Sequence, residues 1–241
     1  AGDALVSAGH DGRILLHDAA TGSTLAEIVA SGPPVWDMVA VPGSDLIVAS
    51  RGSGGVMAWD QPGAAAQSPR WTMELGSRVR TLVADPSGRY LAVGLEDGRV
   101  LLQNDPAAGG TPPADRLLSM VGHRSAVVGL NFIDDGALLA SLSRDRTLRL
   151  WDVETGRQVA VWEGAGSTPL ALLAEFDGQH VATLFDDNLV ELRRLPGATL
   201  REVIADVGQA LTHSPPVPFA LCDQLRVTGI PGADRVCTPP G

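Results

Sequence analysis

The sequence predicts an all-β fold made of short antiparallel strands in repeated four-stranded units. Three observations carry this prediction. First, 28 Gly and 17 Pro in 241 residues favour many tight turns over long helices. Second, an aromatic-acidic pair returns along the chain at a nearly constant interval. Third, two polar turns keep a fixed register with that pair through most of the chain, so the recurrence reflects repeated structure.

The best-preserved unit runs from Gly122 to Asp152. Gly122-His123 opens it, and an apolar run leads to Asp134-Asp135-Gly136. A second apolar segment from Leu138 meets a tight turn at Arg144-Asp145-Arg146, and the unit closes on Trp151-Asp152. Trp59-Asp60 repeats the closing pair, His17-Asp18 keeps it with a substituted aromatic ring, and Gln103-Asn104 and Arg193-Arg194 fall in the same frame without it. The markers at 17, 59, 103, 151 and 193 are spaced 42, 44, 48 and 42 residues apart. That is close to the period of about 40 to 45 residues expected of a four-stranded propeller blade. Six residues before each marker stand Asp11, Ser53, Asp97, Asp145 and Asp187. The following residue in Asp11-Gly12, Asp97-Gly98 and Asp187-Asn188 tolerates the positive φ of a two-residue hairpin. The second turn recurs at Pro42-Gly43-Ser44, Asp85-Pro86-Ser87-Gly88, Asp134-Asp135-Gly136 and Asp177-Gly178.

Taken in order, the frame divides the chain into units at 1–30, 31–76, 77–121, 122–165 and 166–206, with a tail at 207–241. The first unit begins within a strand at Ala4 and lacks an innermost strand; its others are expected at 13–17 and 24–29. The second takes strands from Val35, Leu46, Val56 and Trp71, and the third from Val79, Tyr90, Arg99 and Leu117. The fourth ends on a strand at 158–162, and the fifth takes strands from Leu170, His180, Leu189 and Leu200. Residues 105–115 form a Pro/Gly-rich surface loop outside the third unit. In the tail, Ser214-Pro-Pro-Val-Pro-Phe219 cannot be a central strand, because Pro donates no ladder hydrogen bond. Cys222 and Cys237 lie there, either paired or as two reduced thiols. Because the first unit is incomplete, the chain is expected to be the C-terminal part of a longer propeller with further polypeptide upstream; a small, irregularly closed propeller is the alternative.

The chain resembles the WD40-repeat β-propeller family over about residues 4–206, most specifically from Gly122 to Asp152, and the tail has a weak likeness to those that follow such arrays in bacterial multidomain proteins. The resemblance implies about five four-stranded blades, the first incomplete. It implies that His123, Ser141, Asp145 and Trp151 form a structural hydrogen-bond network. A Ser, a His and an Asp also invite comparison with a catalytic triad, but their recurrence at blade spacing favours the structural role. The resemblance further implies that the loop face around the central channel grips a protein or peptide.

Two positions per blade are candidates for that face. The residue before the turn Asp or its equivalent is His10, Gly52, Glu96, Arg144 or Asp186; the second residue of the inner strand is Trp36, Arg80, Val128 or Leu170. Trp36, Arg80 and Arg144 are favoured because Trp and Arg are enriched at binding hot spots. Composition bounds the rest. The formal charge is -10 and all 18 basic residues are Arg, which argues against nucleic acid and suits a basic partner. No apolar run reaches the roughly 20 residues of a membrane-spanning helix, so no membrane is expected. No His or Cys spacing matches a zinc site, no calcium loop is complete, and Gly52-Ser53-Gly54-Gly55 lies between strands, where a phosphate cradle lacks its helix. Neither metal nor cofactor is expected. The sequence reads as a non-catalytic interaction scaffold, a cytoplasmic module of a larger signalling or regulatory protein. The alternative is an enzyme or small-ligand propeller with its site at the central channel.

Overall fold

The computed structural model of the chain describes residues 4–29, 32–52, 54–60, 68–108, 117–164, 168–173 and 180–194. They form 18 strands and a single 3-10 turn at Asp134–Gly136. The first sheet contains β1 (Ala4–Ala8), β2 (Ile14–Asp18) and β3 (Thr24–Val29). The second contains β4 (Val35–Ala40), β5 (Leu46–Arg51), β6 (Gly55–Asp60) and β7 (Trp71–Glu74). The third contains β8 (Val79–Ala84), β9 (Tyr90–Leu95), β10 (Val100–Asn104) and β11 (Leu117–Met120). The fourth contains β12 (Val127–Ile133), β13 (Leu138–Ser143), β14 (Thr147–Asp152) and β15 (Gln158–Glu163). The fifth contains β16 (Pro169–Leu173), β17 (His180–Phe185) and β18 (Val190–Arg194).

Strand order within each sheet follows the chain, and neighbouring strands pair antiparallel. Three sheets have four strands, and the first is the incomplete unit that the sequence predicts. The outer strand expected from Leu200 lies outside the described residues, as do Ser53, residues 109–115 and the tail with Cys222 and Cys237.

Local chemistry explains the strands' ends. The carboxylates of Asp11, Asp97, Asp145 and Asp187 each accept the backbone N–H two residues on, at 3.1, 3.1, 2.9 and 3.1 Å. Each closes an Asx turn before the next strand. The residue after the Asp has positive φ in all four: Gly12 76°, Gly98 91°, Arg146 67° and Asn188 61°. Arg146 adopts there a conformation that glycine takes without steric cost. Where the marker pair keeps its Asp before a Thr-Gly turn, the Asp has a capping role. Asp18 accepts from the N–H and hydroxyl of Thr21, as Asp152 does from Thr155. These bonds hold both carboxyls below the ordinary value.

The core lies between successive sheets. Ile14 and Ile28 pack with Ile47 and Trp59; Val48 and Trp71 with Leu82 and Leu91; Val100 and Met120 with Val127 and Trp151; Leu142 and Leu150 with Val181. Each sheet therefore hides at least one face against a chain neighbour, at about 1.5–3 kcal/mol per large side chain buried. The fit is close where β12 meets β16: a Cβ at Gly129 would stand 2.7 Å from the Leu172 Cβ. Arg51 adds a polar link, donating from Nη2 to the Gly12 carbonyl at 3.1 Å and from Nε to the Pro33 carbonyl at 3.3 Å. Its guanidinium also lies 5.9 Å from the centre of the Trp59 ring.

Candidate functional site

Inside the fourth sheet the polar residues form one chain of hydrogen bonds. The Trp151 indole N–H donates to Ser141 Oγ at 2.7 Å, and Ser141 Oγ stands 2.7 Å from His123 Nε2. His123 Nδ1 lies 3.2 Å from Asp145 Oδ2, and the Thr147 hydroxyl donates to Asp145 Oδ1 at 2.7 Å. With Ser141 accepting from Trp151, its own hydrogen points to Nε2, which assigns the His123 proton to Nδ1, facing the carboxylate. Burial holds His123 below the ordinary imidazole value despite the attraction of Asp145. Burial works to raise the Asp145 carboxyl, but the N–H groups of Arg124 and Thr147, the Thr147 hydroxyl and His123 hold it low. Ser141 is fully buried and its oxygen is committed on both sides. This Ser–His–Asp set therefore cannot present a nucleophile to a substrate; its chemistry is that of a satisfied buried network.

The exposed candidates meet elsewhere. A cleft of about 370 Å³ is lined by Trp36, Arg78, Val79, Arg80, Val128, Arg144, Thr168, Pro169 and Leu170. The innermost strands of sheets two to five and the residues just before them supply most of it, with Arg144 from the turn between β13 and β14, and one backbone device shapes it four times. Each of β4, β8, β12 and β16 has a register shift immediately after its first residue, leaving Trp36, Arg80, Val128 and Leu170 outside the ladder. A bulge of this kind re-aims a side chain and relieves it of pairing. A second recurring bond fixes the loop above each bulge. The N–H of Gly52, Glu96, Arg144 and Asp186 donates to the carbonyl of Pro34, Arg78, Ala126 and Thr168, at 3.0, 2.8, 2.9 and 2.9 Å. The two positions singled out per repeat are thus coupled through the backbone.

The three favoured side chains, Trp36, Arg80 and Arg144, all line the cleft. Glu96 touches it through Arg80, whose Nε lies 3.3 Å from Glu96 Oε2. His10 packs edge-on against Trp36, with ring centres 4.6 Å apart. Asp186 accepts the Thr168 N–H on Oδ1 at 3.0 Å, at the cleft's margin. Trp36 is 45% exposed although its indole N–H donates to the Gly52 carbonyl at 3.1 Å, and Leu170 is 55% exposed. The sequence frame passes over Arg78, whose guanidinium lies 5.4 Å from the centre of the Trp36 ring, and Thr168. Both stand one residue before an inner strand, a position the same period would have marked. Among the described residues no group of three His, Cys, Asp or Glu could hold a metal ion, and no helix is long and apolar enough to cross a membrane.

Successive antiparallel sheets of three or four described strands, packed face to face and with sheets two to five meeting at one cleft, define an array of propeller blades. Comparison with known proteins agrees. Residues 115–152 match the family model described as WD domain, G-beta repeat; the match takes β11 of one blade with β12 to β14 of the next. The chain is similar to Coronin-7 of Mus musculus, 31% identical over 161 residues, covering 64% of this chain and 17% of the relative. It is similar to Coronin-7 of Homo sapiens, 31% identical over 163 residues, covering 65% and 17%. It is also similar to pre-mRNA-processing factor 19 homolog 2 of Arabidopsis thaliana, 22% identical over 196 residues, covering 80% and 37%. The chain thus spans about a sixth of the length of the Coronin-7 relatives. Among solved structures, the computationally designed Ika8 protein aligns with a TM-score of 0.65 at 21% identity, covering 81% of this chain and 56% of that one, a likeness of fold alone. The family-model match covers one WD40 repeat, from 115 to 152, and the similarity to these relatives over a longer span is consistent with further repeats of that kind.

Proposed function

We propose that this chain is a non-catalytic protein-interaction module that grips a peptide or protein segment in the cleft of its loop face, as part of a larger signalling or regulatory protein. One observation supports the reading above others: four consecutive inner strands each turn a bulged residue, Trp36, Arg80, Val128 and Leu170, into one shared cleft. Apolar surface left in water at Trp36 and Leu170 carries an unfavourable hydration cost that burial by a partner removes. WD40 repeats are in general protein-interaction modules, which is consistent with this role.

The test is selection of a displayed random-peptide library on the wild-type chain and on the variant Trp36→Ala, Arg80→Ala, Arg144→Ala. The expected outcome is enrichment of a peptide class on the wild type and its loss on the variant. Far-UV circular dichroism and a cooperative thermal transition should show that the variant keeps the fold, which separates loss of the face from loss of the structure. Peptides that bind both proteins equally, or no enrichment at all, would show the face to be wrongly assigned.

A further inference from the structure

Resting on that reading of the cleft, we infer that its partner is an acidic segment, with Asp or Glu carboxylates beside an aliphatic or aromatic anchor. The charged side chains lining the cleft are Arg78, Arg80 and Arg144, all cations, on a chain whose formal net charge is -10. The whole-chain balance suits a basic partner; the cleft reverses it locally. Among the described residues Arg80 pairs with Glu96, and their side chains are 27% and 45% exposed. Exposed pairs of this kind contribute about 0–1 kcal/mol, so an incoming carboxylate can displace Glu96. Among the described residues Arg78 and Arg144 form no salt bridge, and Arg78 is held instead over the Trp36 ring. A guanidinium carried by an aromatic face is pre-oriented, and its fork matches a carboxylate with two parallel hydrogen bonds.

The lining is also ordered. Arg78 and Arg80 come from the third sheet and Arg144 from the fourth, while Val128 and Leu170 stand on the fourth and fifth. A bound segment therefore sets its carboxylates over the third and fourth sheets and its apolar anchor toward the fifth. A cleft of about 370 Å³ lies at the lower end of ligand-site volumes, which run to roughly 1,000 Å³, and holds a few side chains. Nucleic acid fits less well, because its affinity needs an extended series of phosphate contacts and the acidic surface beyond the cleft repels them.

The experiment reads the charge of the peptides enriched on the wild type and then measures one of them by fluorescence anisotropy. Its Asn/Gln counterpart, a version with phosphoserine at the acidic positions and an oligothymidine serve as comparisons. The expected result is enrichment of sequences with clustered Asp or Glu within a few residues of Leu or Phe, with binding that weakens as salt rises. Loss of the carboxylates, or the change Arg78→Gln with Arg144→Gln, should weaken binding roughly tenfold or more. Enrichment of neutral or basic peptides that is lost on the Trp36, Arg80 and Arg144 triple variant would overturn this inference and leave the interaction face standing. Absence of enrichment overturns both. Binding unchanged by the two Gln substitutions, or tighter binding of the phosphoserine version or the oligothymidine, overturns the carboxylate assignment.

Discussion

The second and fourth blades carry the same closing pair and solve the same burial problem with different chemistry. In both, a fully buried Trp on the third strand faces the second strand: Trp151 opposite Leu139 and Trp59 opposite Ile47. Two residues along, the fourth blade has Ser141 where the second has Ala49. That hydroxyl lets the fourth blade run a bond chain from Trp151 through Ser141 and His123 to Asp145. Among the described residues the second blade shows no such chain; a guanidinium from Arg51 lies over its Trp and ties the blade to the first. The comparison teaches that the family signature marks one way of holding a blade, not a requirement for forming one. Apolar packing between sheets suffices, and the polar set adds a rigid internal brace where it is complete.

Changes at the two tryptophans should break this comparison most sharply. Trp151→Ala should cost about 3–5 kcal/mol, from lost contacts and a cavity, and it also leaves the buried Ser141 hydroxyl a partner short. Trp59→Ala should fall toward the lower end of that range. Urea unfolding of the two variants decides the matter, and equal costs would mean that the network adds nothing. Next in size is Arg51→Met, which keeps the apolar stem and removes the bonds to the Gly12 and Pro33 carbonyls. A loss of about 1.5–3 kcal/mol is expected for hydrogen bonds from a charged donor. Faster amide exchange across β2 and β3 should accompany it; unchanged exchange there would show that the first blade does not depend on this link.

The smallest effect is in pH, and its sign differs between the two blades. His123 and Asp145 have depressed values in the fold. Their stabilisation is present above the unfolded values of about 6.5 and 3.9 and is lost as pH falls through the depressed ones. Asp37 in the second blade is raised: burial outweighs the N–H groups of Leu82 and Met38 that bond it at 2.7 and 2.8 Å. The folded state there binds its proton more tightly than the unfolded chain, so its contribution is present at low pH and is lost as pH rises through the raised value. Amide exchange measured against pH should therefore show β12 to β14 loosening in acid while β4 gains. Loosening of both together in acid would contradict the assignment.

Much of the fold was legible in the residues. Asp11, Asp97, Asp145 and Asp187 announce their turns because an Asx turn is made within three residues, and the positive φ at Gly12, Gly98 and Asn188 follows from the same local chemistry. Trp36, Arg80 and Arg144 could be picked out because the repeat puts equivalent residues at equivalent places. Their convergence could not. The register shifts that free Trp36, Arg80, Val128 and Leu170 are properties of strand pairing, and no residue type in those strands signals them. Nor could net charge reveal Arg78, Arg80 and Arg144 beside one another, since a sum over 241 residues carries no position. The sequence by itself determined the period, the strands and their turns, because hydrophobic alternation and turn chemistry act over a few residues. Only the tertiary structure decided that Ser141, His123 and Asp145 are sealed inside a blade, and that three arginines and an exposed tryptophan share an open cleft. Those outcomes depend on stacking segments tens of residues apart, and the stacking sets which polar groups keep their water.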